Sequence, residues 1–296
     1  MSQIKNKRHL RFLIGIIFRL ILPRALLTKK IYSLLSFTRR ITVKALSTKF
    51  FLQCCNEEIS NSIFYSGIFG DYEGKTLELW YKIINYIKPA EVYDVGANIG
   101  IFSLLASIAS PSTHIQAFEP NPNTLQFLKH NIRLNNFNKI TVNNFALSTQ
   151  SSKEKFYNLG DHTSPGLTSI KHQYIDESLP VSYFDSQDIC VFRQRSTIPI
   201  NVIKLDIERA ELKLLNHAKT IIESDRPIIF LEILDKEEYV NFEDLFHDIS
   251  YSFIKINDSK KEIIFSEHIK NEDQIGRNWI CYPNELSNKI LSSIEQ

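Results

Sequence analysis

Val92-Tyr93-Asp94-Val95-Gly96-Ala97-Asn98-Ile99-Gly100 sets a short apolar run, an acid, a glycine-bearing turn and the start of a helical pattern side by side. Glu91–Val95 reads as a strand too short and apolar to face water, and residues 99–109 follow as a helix. Working outward, strand-like and helix-like segments alternate. Strands are expected at His114–Phe118, 140–147, 201–205 and 227–233, and helices at 76–87, 123–134, 211–223 and 242–250. Strands separated by helix-length segments imply crossover connections, hence a mostly parallel sheet with helices on both faces. Residues 252–257, 262–266 and 278–282 read as late strands without long helices between them, an antiparallel edge. The expectation is an α/β, Rossmann-like sheet of seven strands, with residues 149–198 irregular and polar.

In such a sheet a nucleotide-like ligand binds beyond the carboxyl ends of the strands. Gly96 permits positive φ and close backbone approach, and Ala97 and Asn98 complete the turn before Gly100 opens the helix. A nicotinamide cofactor would call for G-x-G-x-x-G, because its pyrophosphate sits on a helix N-terminus. Here Asn98 stands at the second glycine, and Asp94 would repel pyrophosphate. The acid suits a phosphate-free nucleoside carrying an ammonium group, which describes S-adenosylmethionine. Phe118-Glu119-Pro120-Asn121 ends the second strand with an acid 19 residues after Gly100, placed to accept both ribose hydroxyls. Asn144 and Phe145, near the third strand end, are expected to meet the adenine.

Ile203-Lys204-Leu205-Asp206-Ile207-Glu208-Arg209-Ala210-Glu211 forms the turn after the fourth strand. Methyl transfer is an in-line displacement in which the protein supplies positioning and, for a hydroxyl acceptor, a base. Asp206 or Glu208 could be that base. The same acids could hold magnesium or manganese, although no metal site is predicted. Their plainer explanation is stabilisation of a helix N-terminus by acids in its first turn. Glu211, Arg209, Glu232 at the fifth strand end and His162 in the irregular stretch are the expected substrate contacts.

Strand-DVGANIG, FEPNPNTL, a Leu-Asn-Asn stretch, Ala146-Leu147-Ser148, KLDIERAE and RPIIFLEI fall in this order along the chain. The succession resembles the FkbM family of methyltransferases over residues 70–282. The resemblance implies O-methylation of a glycan or related small-molecule hydroxyl with S-adenosylmethionine. It sets Asp94, Gly96, Asn98, Gly100 and Glu119 at cofactor positions and Asp206, Glu208 and Glu211 in an acidic motif. Tyr72-Glu73 matches a short upstream motif that folds over the cofactor. One departure is Arg209, where the family carries glycine. The alternatives are an RNA methyltransferase or a weakened cofactor-binding protein. Against RNA base methylation, Asp206-Ile207-Glu208 is not the Asn/Asp-Pro-Pro-aromatic turn such enzymes use.

The chain has 296 residues and a formal charge of +2, but residues 1–50 hold twelve Lys or Arg and no acid. The rest carries 23 basic against 33 acidic side chains. Residues 1–50 read as a basic, amphipathic, helical arm, 51–88 as a lead-in, 89–283 as the methyltransferase domain and 284–296 as a tail. Residues 12–22 are the most apolar run, yet include Arg19 and end at Pro23. As a helix they would span about 16 Å, well short of a bilayer core of about 30 Å. The expectation is a cytoplasmic protein whose arm contacts an anionic membrane surface, its own body or a partner, with nucleic acid not favoured. Cys54, Cys55, Cys190 and Cys281 have no metal-site or disulfide spacing.

Overall fold

Glu91–Val95 (β3) is buried along its whole length, as a strand covered on both faces must be. The structure, a computed structural model, describes residues 14, 17, 37–55, 58–158, 167–168, 181–234, 238–270 and 276–295. Numbered along the chain, β3 sits inside a sheet that runs, from one edge, β13 (Glu262–Ser266), β12 (Tyr251–Asn257), β14 (Asn278–Pro283), β11 (Ile228–Glu232), β10 (Val202–Leu205), β3, β4 (His114–Phe118) and β5 (Ile140–Asn143). β11, β10, β3, β4 and β5 are parallel, and β14, β12 and β13 close the edge antiparallel. This is the expected mostly parallel α/β sheet, with eight strands instead of seven because β12 and β13 form a hairpin that adds an outer strand. From β3 the chain winds outward through β4 and β5, then returns to β10 on the other side. The switch point between β3 and β10 opens the crevice in which such sheets bind ligands.

Helix α2 (Gly74–Ile87) covers one face through Leu77, Trp80, Ile83 and Ile84. Trp80 packs edge-on against Phe102 and Phe230 and donates its indole N–H to the Phe102 carbonyl at 3.0 Å. Each such fully buried side chain contributes roughly 1.5–3 kcal/mol. Glu73 occupies the cap position of α2 but makes no capping bond. Asp258 caps it instead, its Oδ1 accepting from Lys75 N (2.8 Å) and Thr76 N (2.9 Å). The tail forms α9 (Ser287–Glu295), which lies on α2 with Ile290 buried and Lys82 donating to the Ile294 carbonyl.

The remaining helices are α1 (Glu58–Ser66), α3 (Ile101–Ala109), α4 (Pro122–Leu134), α5 (Ile189–Arg193), α6 (Glu211–His217), α7 (Lys219–Asp225) and α8 (Tyr239–His247). Among the described residues none is long and apolar enough to cross a membrane.

Two stretches differ from the sequence-based expectation. Within the basic arm, β1 (Thr38–Ala45) and β2 (Thr48–Cys55) form an antiparallel hairpin instead of a helix. Ile41, Val43 and Ala45 alternate with exposed residues, the two-residue period of a half-buried strand. Two amides of β2 are satisfied by asparagines at the C-terminal end of α4: Asn131 Oδ1 accepts from Gln53 N and the cap residue Asn135 Oδ1 from Phe51 N. The rest of the arm, apart from residues 14 and 17, lies outside the described residues. The stretch expected to be irregular contains β7 (Ser152–Asn158), β8 (Leu167–Thr168) and β9 (Val181–Asp188), which join β6 (Ala146–Ser148) in a second sheet of order β6-β9-β7-β8. The expected third strand is thereby split, β5 staying in the main sheet and β6 leaving it.

Gly96 sits where β3 and β10 meet. It has φ +81°, and a Cβ there would lie 2.0 Å from the Asp206 carbonyl oxygen. A backbone atom cannot give way as a side chain can, so Gly96→Ala should cost roughly 3 kcal/mol. The expected drop in melting temperature is about 6–12 °C. A variant that melts with the wild type would show that the two strand ends are not held at this separation.

Candidate functional site

The turn after β3 is folded against the end of β4 by main-chain bonds. Gly96 N and Ala97 N both donate to the Phe118 carbonyl, at 3.1 and 2.9 Å. Asn98 is left-handed (φ +50°), a conformation asparagine tolerates better than most residues. Its N–H donates to Glu119 Oε2 at 2.9 Å, and Asn121 N donates to Oε1 at 2.8 Å. Glu119 thus holds the turn with both oxygens while its carboxylate lines the crevice. Burial pushes its pKa up to about 7, against the pull of the two amides.

Behind the turn, acids gather around one buried ammonium. Lys204 on β10 pairs in register with Asp94 on β3, donates to Asp206 Oδ2 at 2.9 Å and lies 4.4 Å above the Phe102 ring. Burial opposes its charge, but Asp206, Glu73 and Asp94 together hold its pKa above the ordinary lysine value. Asp94 accepts from Ser103 Oγ at 2.5 Å through Oδ2. Its Oδ1 is buried without a hydrogen-bond partner, as is Glu73 Oε2. Burial raises the pKa of both acids, with Lys204 pulling the other way. Glu232 is also raised, first by burial and then by the carboxylates of Asp206 and Glu73.

The crevice itself has a volume of about 120 Å³. Of the residues expected at the site, Gly96, Asn98, Glu119, Asp206 and Glu208 line it, whereas Asp94 and Glu73 lie behind the turn and line neither this crevice nor the smaller cavity beside it. A smaller cavity on the other side of the turn is lined by Tyr72, Ala97, Asn98, Phe102, Lys204 and Asp206. Asp206 faces both. Glu208 is raised by burial and then by the Asp206 charge, while Arg209 pulls it down.

Other predicted residues fall elsewhere. Asn144 is exposed and Phe145 packs against the rings of Phe118 and Phe192, so neither belongs to the wall. The chain has already turned into β6 there, and Ala146, Leu147, Ser148 and Thr149 form the wall instead. Asn121 caps α4, its Oδ1 accepting from Asn123 N. Gly100 (φ +98°) faces Leu128, 2.6 Å from where its Cβ would stand, and serves helix packing. Glu211 is buried and accepts from Ile207 N at 2.7 Å, which ties down the turn before α6. Its pKa is pushed up to about 7 by burial. Glu232 joins the acids around Lys204, and His162 lies outside the described residues.

No local pattern singles out Glu154, Phe156 or Lys213, which also line the crevice. Glu154 and Phe156 stand on β7, whose polar composition conceals its strand. Ser148, which donates to Glu154 Oε1, was within a recognisable string.

Among the described residues, the one group of ligand atoms close enough for a metal is Asp188, Cys190 and His217. None of the three lines the crevice. Asp188 there caps α5 and contacts His217 at 3.1 Å, which accounts for the grouping.

A family model described as the methyltransferase FkbM domain matches residues 94–256. No curated protein matches the chain. A methyltransferase FkbM from Methylobacillus flagellatus is similar at 16% identity and a TM-score of 0.43, covering 66% of this chain. The present chain spans only 44% of that protein's length. A precorrin-6y C5,15-methyltransferase from Geobacter metallireducens is 12% identical, with 68% and 87% of the two chains covered and a TM-score of 0.37. A SAM-dependent methyltransferase from Agrobacterium tumefaciens is 9% identical, with 84% and 71% covered and a TM-score of 0.42.

Arg209 has φ +80°, a backbone state that suits glycine. Offsetting the relieved strain against the flexibility of glycine, Arg209→Gly should stabilise the protein by roughly 0.5–1 kcal/mol. The melting temperature should rise about 1–4 °C, and a fall would show that Arg209 contacts outweigh the strain. Glu232 keeps its proton above the ordinary carboxylate value, so the folded state binds more protons than the unfolded one. Its contribution is therefore complete at acid pH and is lost as pH rises through the raised pKa. Glu232→Gln should melt close to wild type near pH 5 and higher than wild type near pH 9, by calorimetry. Identical pH profiles for the two proteins would mean that Glu232 is not held protonated.

Proposed function

This chain belongs to the FkbM methyltransferase domain family, and from that premise we propose that it transfers a methyl group from S-adenosylmethionine to a hydroxyl of a glycan or related small molecule. The observation that carries the cofactor assignment is the pair of buried, unpartnered oxygens, Asp94 Oδ1 and Glu73 Oε2, beside Lys204. Buried acceptors without donors are costly, and an ammonium group relieves them. Lys204 suits the carboxylate of the same amino-acid end. Glu119 accepts ribose hydroxyls, and the Ala146–Leu147 segment walls the adenine. The acids that line the crevice, Glu119, Glu154, Asp206 and Glu208, would repel a pyrophosphate.

When bound, S-adenosylmethionine supplies a methyl group already activated for displacement. The protein then needs to orient the acceptor and take its proton. Glu208 is the base in this reading: it lines the crevice, and burial raises its proton affinity toward that useful near neutrality. Asp206 is turned toward Lys204 and positions the acceptor from the opposite wall. Ser148, Thr149, Glu154 and Lys213 offer hydrogen-bonding groups, and Phe156 an apolar surface, the mixture that sugar hydroxyls and ring carbons require. The acidic rim works against a polynucleotide acceptor, whose phosphates it would repel.

Calorimetry should show binding of S-adenosylmethionine, weakened about 10–100-fold by Glu119→Gln, and no binding of a nicotinamide dinucleotide. Tight dinucleotide binding would overturn the cofactor assignment. With a glycan pool and labelled methyl donor, Glu208→Gln should lower kcat at least about 100-fold. Wild-type kcat/KM should fall on the acid side at a pH above the ordinary glutamate range, since the base must be ionised. Full turnover by Glu208→Gln would remove it from that role.

A further inference from the structure

Residues 1–56 contain twelve Lys or Arg and no Asp or Glu, against 23 basic and 33 acidic side chains in the remainder. Four of the twelve, Arg39, Arg40, Lys44 and Lys49, stand exposed on the β1–β2 hairpin. Lys44 and Lys49 are direct cross-strand partners and therefore point to one face. Like charges opposite each other in a strand pair destabilise it. Thr42 pairs with Phe51 and Arg40 with Gln53 along the same face, and the Arg40 guanidinium lies 4.9 Å from the Phe51 ring centroid.

Leu46 begins the tight turn beyond the two lysines. It is left-handed (φ +50°) and 60% exposed. Asn or Gly is the ordinary occupant of such a position, and neither would leave a large apolar side chain in water. The tip thus combines two arrangements that water disfavours: paired ammonium groups and a strained, solvent-facing leucine.

We propose that this hairpin tip docks the protein on the surface of an anionic lipid membrane. Acidic headgroups would neutralise Lys44 and Lys49, while Leu46 reaches the acyl boundary. A polynucleotide could satisfy the cations but offers nothing to Leu46. The acidic body orients the molecule the same way, since its charge is repelled by the surface that attracts the hairpin.

The placement of the hairpin fixes which side docks. Phe51 lies beside Asn135 and Gln53 beside Asn131, so β2 runs antiparallel to α4 and its turn end lies beyond the C-terminus of the helix. α4 begins at the site edge of the sheet, after Glu119, and runs away from it. The turn lies about 15 Å beyond Phe51 at the rise of a strand. The docked crevice accordingly faces the aqueous side, and docking is independent of methyl transfer.

Full-length protein is sedimented at low salt with phosphatidylcholine vesicles, with and without phosphatidylserine. Binding is expected only with phosphatidylserine and is reversed by high salt. Removing a cation weakens it about fivefold, so Lys44→Gln with Lys49→Gln should weaken it about 25-fold. Leu46→Asn should weaken it at least about fivefold while keeping or raising the melting temperature, since asparagine favours the left-handed turn. Leu46→Gly, read in parallel, keeps the test valid if the first variant is unstable. Equal binding to neutral vesicles, or variants that bind like wild type, would overturn the proposal. So would tighter binding to polyuridylate that ignores Leu46→Asn, which would mark a nucleic-acid surface instead.

Discussion

A single buried ammonium, Lys204, organises the acids behind the crevice. An isolated charge in a protein interior is strongly unfavourable, and so is a set of crowded carboxylates. Here each answers the other. Lys204 comes from the centre of the sheet, next in register to Asp94, and reaches Asp206 at the tip of its own strand. Glu73 arrives from the segment before α2, and Glu232 from the end of β11. Elements far apart in sequence thus share one electrostatic balance at the switch point of the sheet. With more acids than cations, the balance is incomplete within the protein and suits a ligand that brings a positive group.

Part of the backbone strain lies around the same place, with four of the ten non-glycine residues of positive φ among the described residues. Glu73, Asn98, Glu208 and Arg209 all have positive φ without being glycine. Non-glycine residues hold such conformations only where the surrounding structure over-determines them, commonly at binding sites. Glu73 shows what this achieves. In an ordinary cap its side chain would be spent on the first amides of α2, whereas the left-handed turn and the distant Asp258 free its carboxylate for the interior. Glu208 and Arg209 continue the pattern on the opposite wall, where successive left-handed residues turn the chain from β10 into α6.

Much of this was legible in the sequence. The Asp94–Gly100 turn, Glu119 and the Asp206–Glu208 pair announce themselves because strand ends in a parallel sheet must project at one edge, and their acids stand at those ends. The wall around Asn144 was less legible. A continuous apolar run from residue 140 to 147 conceals the point at which the chain leaves one sheet for another, so the expected contacts fall one or two residues early. β7 and β9 were hidden because their side chains are mostly polar, and main-chain pairing, not a hydrophobic face, defines them. In the basic arm, leucines at helical spacing up to residue 35 drew attention from the two-residue alternation of Ile41, Val43 and Ala45 that follows. Contacts of high sequence separation, such as Lys75 with Asp258, have no local signature at all.

That last contact bears on how the protein is made. Asp258 caps a helix that precedes it by more than 180 residues, and Asn278 donates to its other oxygen. On the ribosome, α2 and the strands around the cofactor turn are synthesised long before either partner emerges. A nascent chain can therefore form much of its parallel sheet yet still lack the groups that secure the start of α2 and release Glu73 toward Lys204. Competence to bind must come late in synthesis, when the last strand, β14, slides between β11 and β12. A truncated product would keep the recognisable turn and lose the pocket behind it.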